Sequence, residues 1–467
     1  MDFIEVFEGV AKKFNTLDRT KPIKIISNHD CDGIASAAIL VSALSRAGLK
    51  FSLSIVQQLN QEVLDSLKLE PYETVIFADM GSGYLSNIEK NLEGKNIFVL
   101  DHHKPEDYNP KFIIHINPHL FNLDGTKDVC AAGVCYLFAK ALNEENRDLA
   151  HIAIIGAIGD NQEKNGFFGL NSLIIKDAVD YGKLEIKESL RMFGMQTKSL
   201  HKVLEYSTNP YIPNVTGNER GAIKFLEDLN IKVKDGSKYR RLSNLSEEEM
   251  KRLITAIILK RMGSEDAPGD VFGQIYLIKD ESDESPTRDA REFSTLLNCC
   301  GRLGKPGLGI AACLGDKKMK DAAVELLNQY RREIIASLEW FYKNRGGLKV
   351  KEGKGYVLIN AEDSVRDTLI GTLTSIVAKS NIYPEGTILV SLAHTLGEET
   401  KVSTRIAGFM DSAFDLREMI KKVVKVTGGE GGGHRLAAGA TIPQEKEEEF
   451  LKLSEQILIG AAVEEIK

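Results

Sequence analysis

No stretch of the sequence approaches the roughly 18 apolar residues that a membrane span requires. The opening segment, MDFIEVFEGVAKKF, is acidic, and its apolar run is too short for a signal peptide. A cytoplasmic location is therefore expected. No basic tail stands out. Lys and Arg total 60 against 67 Asp and Glu, for a net charge of −7. Any contact with nucleic acid must then come from a local patch, because the overall field does not favour it. The six cysteines are Cys31, Cys130, Cys135, Cys299, Cys300 and Cys313, and none forms a CxxC pair. That argues against a zinc ribbon or a thioredoxin-type site. They read as small buried residues in a reducing compartment. No short-period repeat is present.

What the chain does have is length and apolar content. Its 467 residues, 43% of them apolar, suit two or three domains with sizeable cores. After a first amphipathic helix, short β-rich runs alternate with helical stretches. IKIIS (23–27), FSLSIV (51–56), TVIFADMG (74–81), KNIFVLDHH (95–103) and KFIIHIN (111–117) read as strands. This alternation predicts a parallel, doubly wound α/β sheet, whose ligands sit beyond the carboxyl ends of its strands. Asp30, Asp79 and Asp101 fall at those ends. Helices follow at 131–146 and 149–162, the second apolar until Gly159 and ending on Asp160. Residues 163–230 read as mainly helical, 279–289 as an acidic exposed loop, and roughly 316–345 as one long helix. A second α/β pattern opens at residue 355 and closes on a glycine-rich stretch and a charged terminal helix.

Charge at the end of an apolar strand is costly to desolvate unless something compensates it. Taken singly, each Asp reads as a helix cap or a turn residue. Capping does not require a DHH triplet, nor does it gather four Asp-bearing element ends into one crevice. A metal ion accounts for the set Asp30, Asp32, Asp79, Asp101, His102, His103 and Asp160. Oxygen and imidazole donors without thiolate suit Mn²⁺ or Mg²⁺, and the imidazole favours Mn²⁺. So many donors exceed the needs of one ion. Two ions about 3.5–4 Å apart would use them, with one carboxylate bridging, and Asp79 is central enough to bridge.

Two further clusters stand out. In GGEGGGHR, Gly431, Gly432 and Gly433 would leave backbone N–H groups free for an anion in a left-handed nest, beside His434 and Arg435. Ser403 and Arg405, two apart on a strand, should point the same way. In LLNCCGRLGKPG, Asn298, Arg302 and Lys305 suit phosphate contact, or else are surface groups at a helix end.

NHDCDG, FADMGSG, LDHHKPED and GAIGDNQ resemble, in order and spacing, the four successive motifs of the DHH phosphoesterase superfamily, across roughly residues 22–165. VSTRIAG and GEGGGHRLAAGA resemble the partner domain that follows, and residues 291–316 lie between. Together they are similar to the archaeal RecJ-like single-strand exonucleases of the GINS-associated type. The resemblance implies that Asp30 and Asp79 hold one metal and that Asp32, Asp79, His102 and Asp160 hold the other. Asp101 would orient an imidazole, and His103 would face the scissile phosphate. Relatives usually carry His two residues before the first of the paired Asp; here Asn28 stands there and His29 follows. Either the Asn28 carbonyl or a shifted His29 would have to serve, and a weaker first metal is expected.

The glycine-rich segment would hold the nucleotide end of the substrate. The implied organisation is a DHH domain over 1–200, a mainly helical middle segment over 201–345, and a smaller α/β domain over 346–467, with a cleft between first and last. The implied activity is metal-dependent, single-strand-specific hydrolysis of DNA, and of RNA, to mononucleotides, 5′→3′ on DNA, in replication or repair. Mn²⁺ (two ions) is the expected cofactor, with Mg²⁺ an alternative. Single-stranded nucleic acid and GINS of the replisome are the expected partners, with no membrane. A small-substrate DHH phosphoesterase acting on nanoRNA or phosphoadenosine phosphate is the alternative enzyme. A replisome scaffold with residual catalysis is the alternative of another class.

Overall fold

The computed structural model describes residues 3–464 apart from 164–165, 196, 208–209, 211, 263–267, 381 and 409–413. The chain divides into two units, Met1–Leu327 and Asn328–Lys467.

The first unit opens with α1 (Phe3–Phe14), β1 (Ile23–Asn28), α2 (Cys31–Arg46), β2 (Phe51–Val56), α3 (Gln61–Leu69), β3 (Thr74–Ala78), α4 (Leu85–Asn91), β4 (Asn96–Leu100) and β5 (Ile113–Ile116). The five strands form one parallel sheet in the order β2-β1-β3-β4-β5. Alternating side chains give the sheet two apolar faces. Val75, Phe77, Ile97 and Val99 meet Leu64, Leu67, Leu85 and Ile88 of α3 and α4. On the other face Phe98 packs 5.4 Å from Phe14 of α1 and 6.4 Å from Phe138 of α5 (Ala131–Leu142), centroid to centroid. The sheet is therefore doubly wound. Its strand order reverses between β1 and β3, where such folds leave a crevice.

α6 (Ala150–Gly159) packs against α2 and α5. It comes unusually close. A Cβ on Gly156 would lie 2.6 Å from both Asp32 Oδ1 and Ala132 Cβ, and one on Gly159 would lie 2.6 Å from Cys31 Cβ. The glycines let α6 deliver Asp160 to the crevice.

The rest of the unit is α7 (Gly169–Asp180), β6 (Leu184–Leu190), α8 (Leu200–Glu205), α9 (Glu219–Asp228), β7 (Lys234–Asp235), β8 (Lys238–Tyr239), α10 (Glu247–Arg261), β9 (Phe272–Ile278), α11 (Ala290–Arg302) and α12 (Pro306–Cys313). α13 (Lys317–Asn344) begins in this unit and ends in the next. Leu204, Leu226, Leu253 and Ile257 centre a separate core here. One expectation changes. Residues 163–230 contain a strand as well as helices: β6 pairs antiparallel with β9, and that partner is remote in sequence. The acidic stretch 279–289 is a loop with Asp280, Asp283 and Glu284 exposed, and side chains within it are tied together. Glu281 accepts from Ser285 Oγ at 2.8 Å and Thr287 Oγ1 at 2.7 Å, and it pairs with Lys320.

The second unit holds β10 (Val350–Gly353), β11 (Tyr356–Asn360), α14 (Asp367–Lys379), β12 (Ile388–His394), β13 (Glu399–Ile406), α15 (Leu416–Thr427), β14 (Glu430–His434), β15 (Ala437–Pro443) and α16 (Glu447–Glu464). Its sheet runs β10-β11-β12-β13-β15-β14, with β11–β12 its parallel pair. Val402, Ile406, Ala438 and Ile442 pack with Ile420 and Val423 of α15 and Phe450 of α16. Here the expected nest is corrected. Gly431, Gly432 and Gly433 form an edge strand opposite Ala440, Gly439 and Ala438. Of the three, Gly433 alone has positive φ, 131°. Sheet pairing holds Gly431 and Gly432 in extended backbone, so the stretch is a strand and not a left-handed loop. No helix among the described residues is long and apolar enough to cross a membrane.

Gly156→Ala should destabilise the chain by about 1–3 kcal/mol, because overpacking forces side chains or backbone to shift. A denaturant midpoint measures this, and an unchanged midpoint contradicts the close approach of α6.

Candidate metal centre

β1, β3 and β4 lie side by side and end level with one another, so the residues just beyond them meet at one edge of the sheet. Asp30 caps α2, with a carboxylate oxygen 3.0 Å from Gly33 N. Asp32, on the first turn of α2, is buried and reaches another helix. It accepts from Ala131 N at 2.7 Å and Ala132 N at 2.9 Å, at the electropositive start of α5. Burial nonetheless pushes its pKa up.

Asp79 follows β3 with φ 57°, in the left-handed region that a non-glycine residue seldom adopts. Its N–H donates to Leu100 O at 3.0 Å, which ties the turn to β4. Its carboxylate is buried, and among the described residues neither oxygen has a hydrogen-bond partner. Burial first, then the carboxylates of Asp30 and Asp32, push its pKa well up. Strained backbone and an unsatisfied buried acid both cost free energy, and their coincidence points to function.

Asp101 is the opposite case. It accepts from Ser82 N at 2.9 Å, His102 N at 2.8 Å, His103 N at 3.2 Å and His103 Nδ1 at 2.8 Å. Burial works against its charge, but the His103 hydrogen bond and the histidine fields prevail and hold it well below the usual carboxylate range. His103 is about half exposed. Burial also opposes its charge, yet Asp101 and Asp79 push it up to about 9.

His102 is the hub. Its Nδ1 lies 2.6 Å from Gly125 O, which can only accept, so Nδ1 carries a hydrogen. Its Nε2 then faces Asp160 Oδ2 at 3.3 Å, Asp79 Oδ1 at 3.5 Å and Asp32 Oδ2 at 3.7 Å. Asp160 ends α6, and burial, then Asp32, push it up to about 8. Two overlapping donor groups result: Asp79, Asp101, His102 and His103, and Asp32, His102 and Asp160. An imidazole with a fixed tautomer facing three carboxylates, one of them unsatisfied, fits a hard divalent cation such as Mn²⁺ or Mg²⁺.

The other predicted site residues fall as follows. Asn28 Oδ1 accepts from its neighbour, His29 N at 2.7 Å and His29 Nδ1 at 2.9 Å, and His29 belongs to neither donor group. Asn298 Oδ1 accepts from Cys31 N at 3.0 Å and so buttresses the turn that carries Asp30 and Asp32. Arg302 ends α11, and Lys305 precedes α12. In the second unit Ser403 and Arg405 do share a face, with Arg405 Nη1 3.3 Å from Ser403 Oγ and Nε 3.0 Å from Ser375 Oγ. Gly431, Gly432, Gly433 and His434 are exposed along β14. Sequence reasoning missed Gly125, Ser82, Asn117 and Gln162, which hold the two histidines and Asp101 from behind. Their signal was adjacency alone: Ser82 lies within FADMGSG, and Gln162 lies within GAIGDNQ.

Uncharacterized protein MJ0831 of Methanocaldococcus jannaschii is 32% identical to this chain over 467 residues, 98% of each. Residues 22–159 match the DHH family, N-terminal domain, residues 192–271 the DHH-CID domain, and residues 354–460 the DHHA1 domain. The chain belongs to the DHH family. Single-stranded-DNA-specific exonuclease RecJ of Thermus thermophilus is 26% identical over 183 residues, 37% of this DHH-family chain and 27% of that protein. Its crystal structure in complex with Mn²⁺ covers 98% of this chain and 55% of its own, with TM-score 0.59 and 15% identity. CDC45 from Entamoeba histolytica covers 98% of both chains, with TM-score 0.65 and 13% identity. The structural likenesses show a RecJ-like fold. Membership at this level points to a metal-dependent hydrolase.

Two outcomes follow for the DHH-family chain without metal. Asp79→Asn keeps the turn, since Asn also tolerates positive φ, and removes an acid whose ionisation burial opposes. In chelator it should raise the melting temperature by several degrees, equivalent to about 1–3 kcal/mol, and it should lose the stabilisation that Mn²⁺ gives the wild type. A lower melting temperature in chelator contradicts the account of Asp79. Asp160 keeps its proton to about pH 8 when folded, whereas an unfolded Asp releases it near ~4. The folded chain binds more protons between those values, so its stability falls as pH rises. His103, raised to about 9, adds the same sign over a higher window. In chelator, the melting temperature of Asp160→Asn relative to the wild type should therefore rise from about pH 5 to about pH 8. Equal slopes contradict the assignment.

Proposed function

We propose that this DHH-family chain is a metal-dependent exonuclease that removes mononucleotides from single strands of DNA and RNA, 5′→3′ on DNA, in replication or repair. The observation that carries the reading is His102 Nε2 facing Asp32, Asp79 and Asp160 while neither Asp79 oxygen has a hydrogen-bond partner among the described residues. The Thermus RecJ, a single-stranded-DNA-specific exonuclease, supplies the substrate class.

In this reading Asp32, Asp79, His102 and Asp160 hold one Mn²⁺, and Asp30 with Asp79 holds the other, helped by Asn28 or His29. Such cations, when bound, stabilise charge on a phosphoryl group and acidify water. His103, oriented by Asp101, presents a charged donor toward the phosphate. Ser403, Arg405, His434 and the Gly431–Gly433 edge hold the terminal nucleotide, and Asn298 and Arg302 hold phosphate. Residues 201–345 bind a replisome partner, GINS by resemblance. The segments 1–200, 201–345 and 346–467 divide these tasks.

One observation favours a second reading, a replisome scaffold with residual catalysis. Asn28 stands where relatives carry His, and its oxygen is held by His29. End-labelled single-stranded DNA and RNA incubated with the chain and Mn²⁺ separate the readings. The expected product is mononucleotides from a long strand. Cleavage of dinucleotides or phosphoadenosine phosphate alone indicates the small-substrate enzyme. Absence of any cleavage indicates the scaffold.

A further inference from the structure

Two buried side-chain amides stand behind the two histidines. Gln162 lies two residues past Asp160, and its Nε2 donates to Gly125 O at 2.9 Å. That carbonyl is also the acceptor for His102 Nδ1, at 2.6 Å. A carbonyl oxygen has two lone pairs, so these two donors fill it. The amide cannot turn over, because its Oε1 accepts from Asn171 Nδ2 at 2.7 Å, and Asn171 N is held by Asp128 O at 2.9 Å. On the other side, Asn117 Nδ2 donates to His103 O at 2.8 Å and to Ser82 Oγ at 2.8 Å, and its Oδ1 accepts from His119 N at 2.9 Å.

We infer that Gln162 is a positioning residue for the metal centre: through the Gly125 carbonyl it fixes the edge that His102 turns toward Asp32, Asp79 and Asp160. The inference rests on the metal reading above and adds a residue to it. Gly125 transmits the effect because nothing separates it from His102. A Cβ on Gly125 would lie 2.0 Å from His102 O. Displacing the Gly125 carbonyl therefore displaces the partner of Nδ1, and with it the aim of Nε2. Gln162 also lies on the segment that carries Asp160, so its hydrogen bond makes the two donors move as one. Asn117 makes no hydrogen bond to His102 or Gly125. Its bonds go to the backbone of His103 and to Ser82, whose N–H supports Asp101. Asn117 thus supports His103 and Asp101 of the other donor group, whereas the buried amide of Asn146, whose Nδ2 donates to Ala139 O at 2.8 Å and whose Oδ1 accepts from Arg46 Nη1 at 3.1 Å, bonds to no member of either group.

Equilibrium Mn²⁺ titration of the full chain, with free ion counted by electron paramagnetic resonance, tests this without any activity readout. Gln162→Met keeps the volume, adds no charge and removes the donor. It should raise the Mn²⁺ Kd by about 10-fold or more, the usual effect of losing a partner behind a metal ligand. Asn146→Leu, which removes a buried amide outside both donor groups, should leave the Mn²⁺ Kd near that of the wild type. Should either variant fail to fold, Gln162→Leu and Asn146→Ala replace them. A Gln162 variant that binds Mn²⁺ like the wild type overturns the inference. Equal loss in both variants does so too, because it shows a shared folding role. A wild type that binds no Mn²⁺ overturns the metal reading and this inference together. A wild type that binds Mn²⁺ but digests no strand overturns the exonuclease reading and leaves this inference standing.

Discussion

Folding this chain buries the Asp79 carboxylate with no hydrogen-bond partner among the described residues and holds its backbone at φ 57°. Everything around it makes that arrangement unavoidable. β3 is flanked by β1 and β4, so the turn that leaves it is confined on both sides. The Asp79 N–H is tied to β4. Asp30 and Asp32 add like charge from the start of α2, and Asp160 adds more from the end of α6. Without a counter-charge, the group can relieve itself only by taking up protons, and the raised pKa values of Asp32, Asp79 and Asp160 express that. A divalent cation would ease the conflict, because it would supply counter-charge and take up lone pairs of the carboxylates.

The neighbouring groups are stabilised by separate means, and the division between them is informative. Asp101 is saturated with donors and stays ionised, which suits a group that orients His103. Asp32 takes two N–H groups of α5 and keeps an edge toward His102. His102 spends Nδ1 on a carbonyl and so leaves Nε2 for the carboxylates. Helix ends, a strand order that reverses between β1 and β3, and glycines that admit α6 all serve one crevice.

Much of this was legible in the sequence, because strand, turn and helix are local patterns. Apolar runs ending in Asp30, Asp79 and Asp101 placed three acids on one sheet edge once the sheet was parallel. Asp160 followed from an apolar helix that stopped on a charge. What escaped depends on contacts that sequence proximity does not reveal. Asp32 caps a helix that starts 99 positions later, and Asn298 supports Cys31 from 267 positions away. β6 was hidden because its partner β9 is remote and its alternation is weak. The glycine stretch reads as a loop by composition, yet pairing with β15 makes it an edge strand. His115 reads as a lone histidine, but it sits 2.9 Å from Ser82 Oγ, next to the residue whose N–H supports Asp101.

The central claim is that the buried acids around His102 form a cation site. Anomalous scattering from crystals of the full chain grown with Mn²⁺, recorded on both sides of the manganese edge, tests it most directly. The account predicts a manganese peak within about 2.0–2.3 Å of an Asp79 oxygen and of His102 Nε2, the usual range for divalent cations with oxygen and imidazole donors. Manganese bound elsewhere on the chain, with Asp79 and His102 still facing one another unligated, would contradict it.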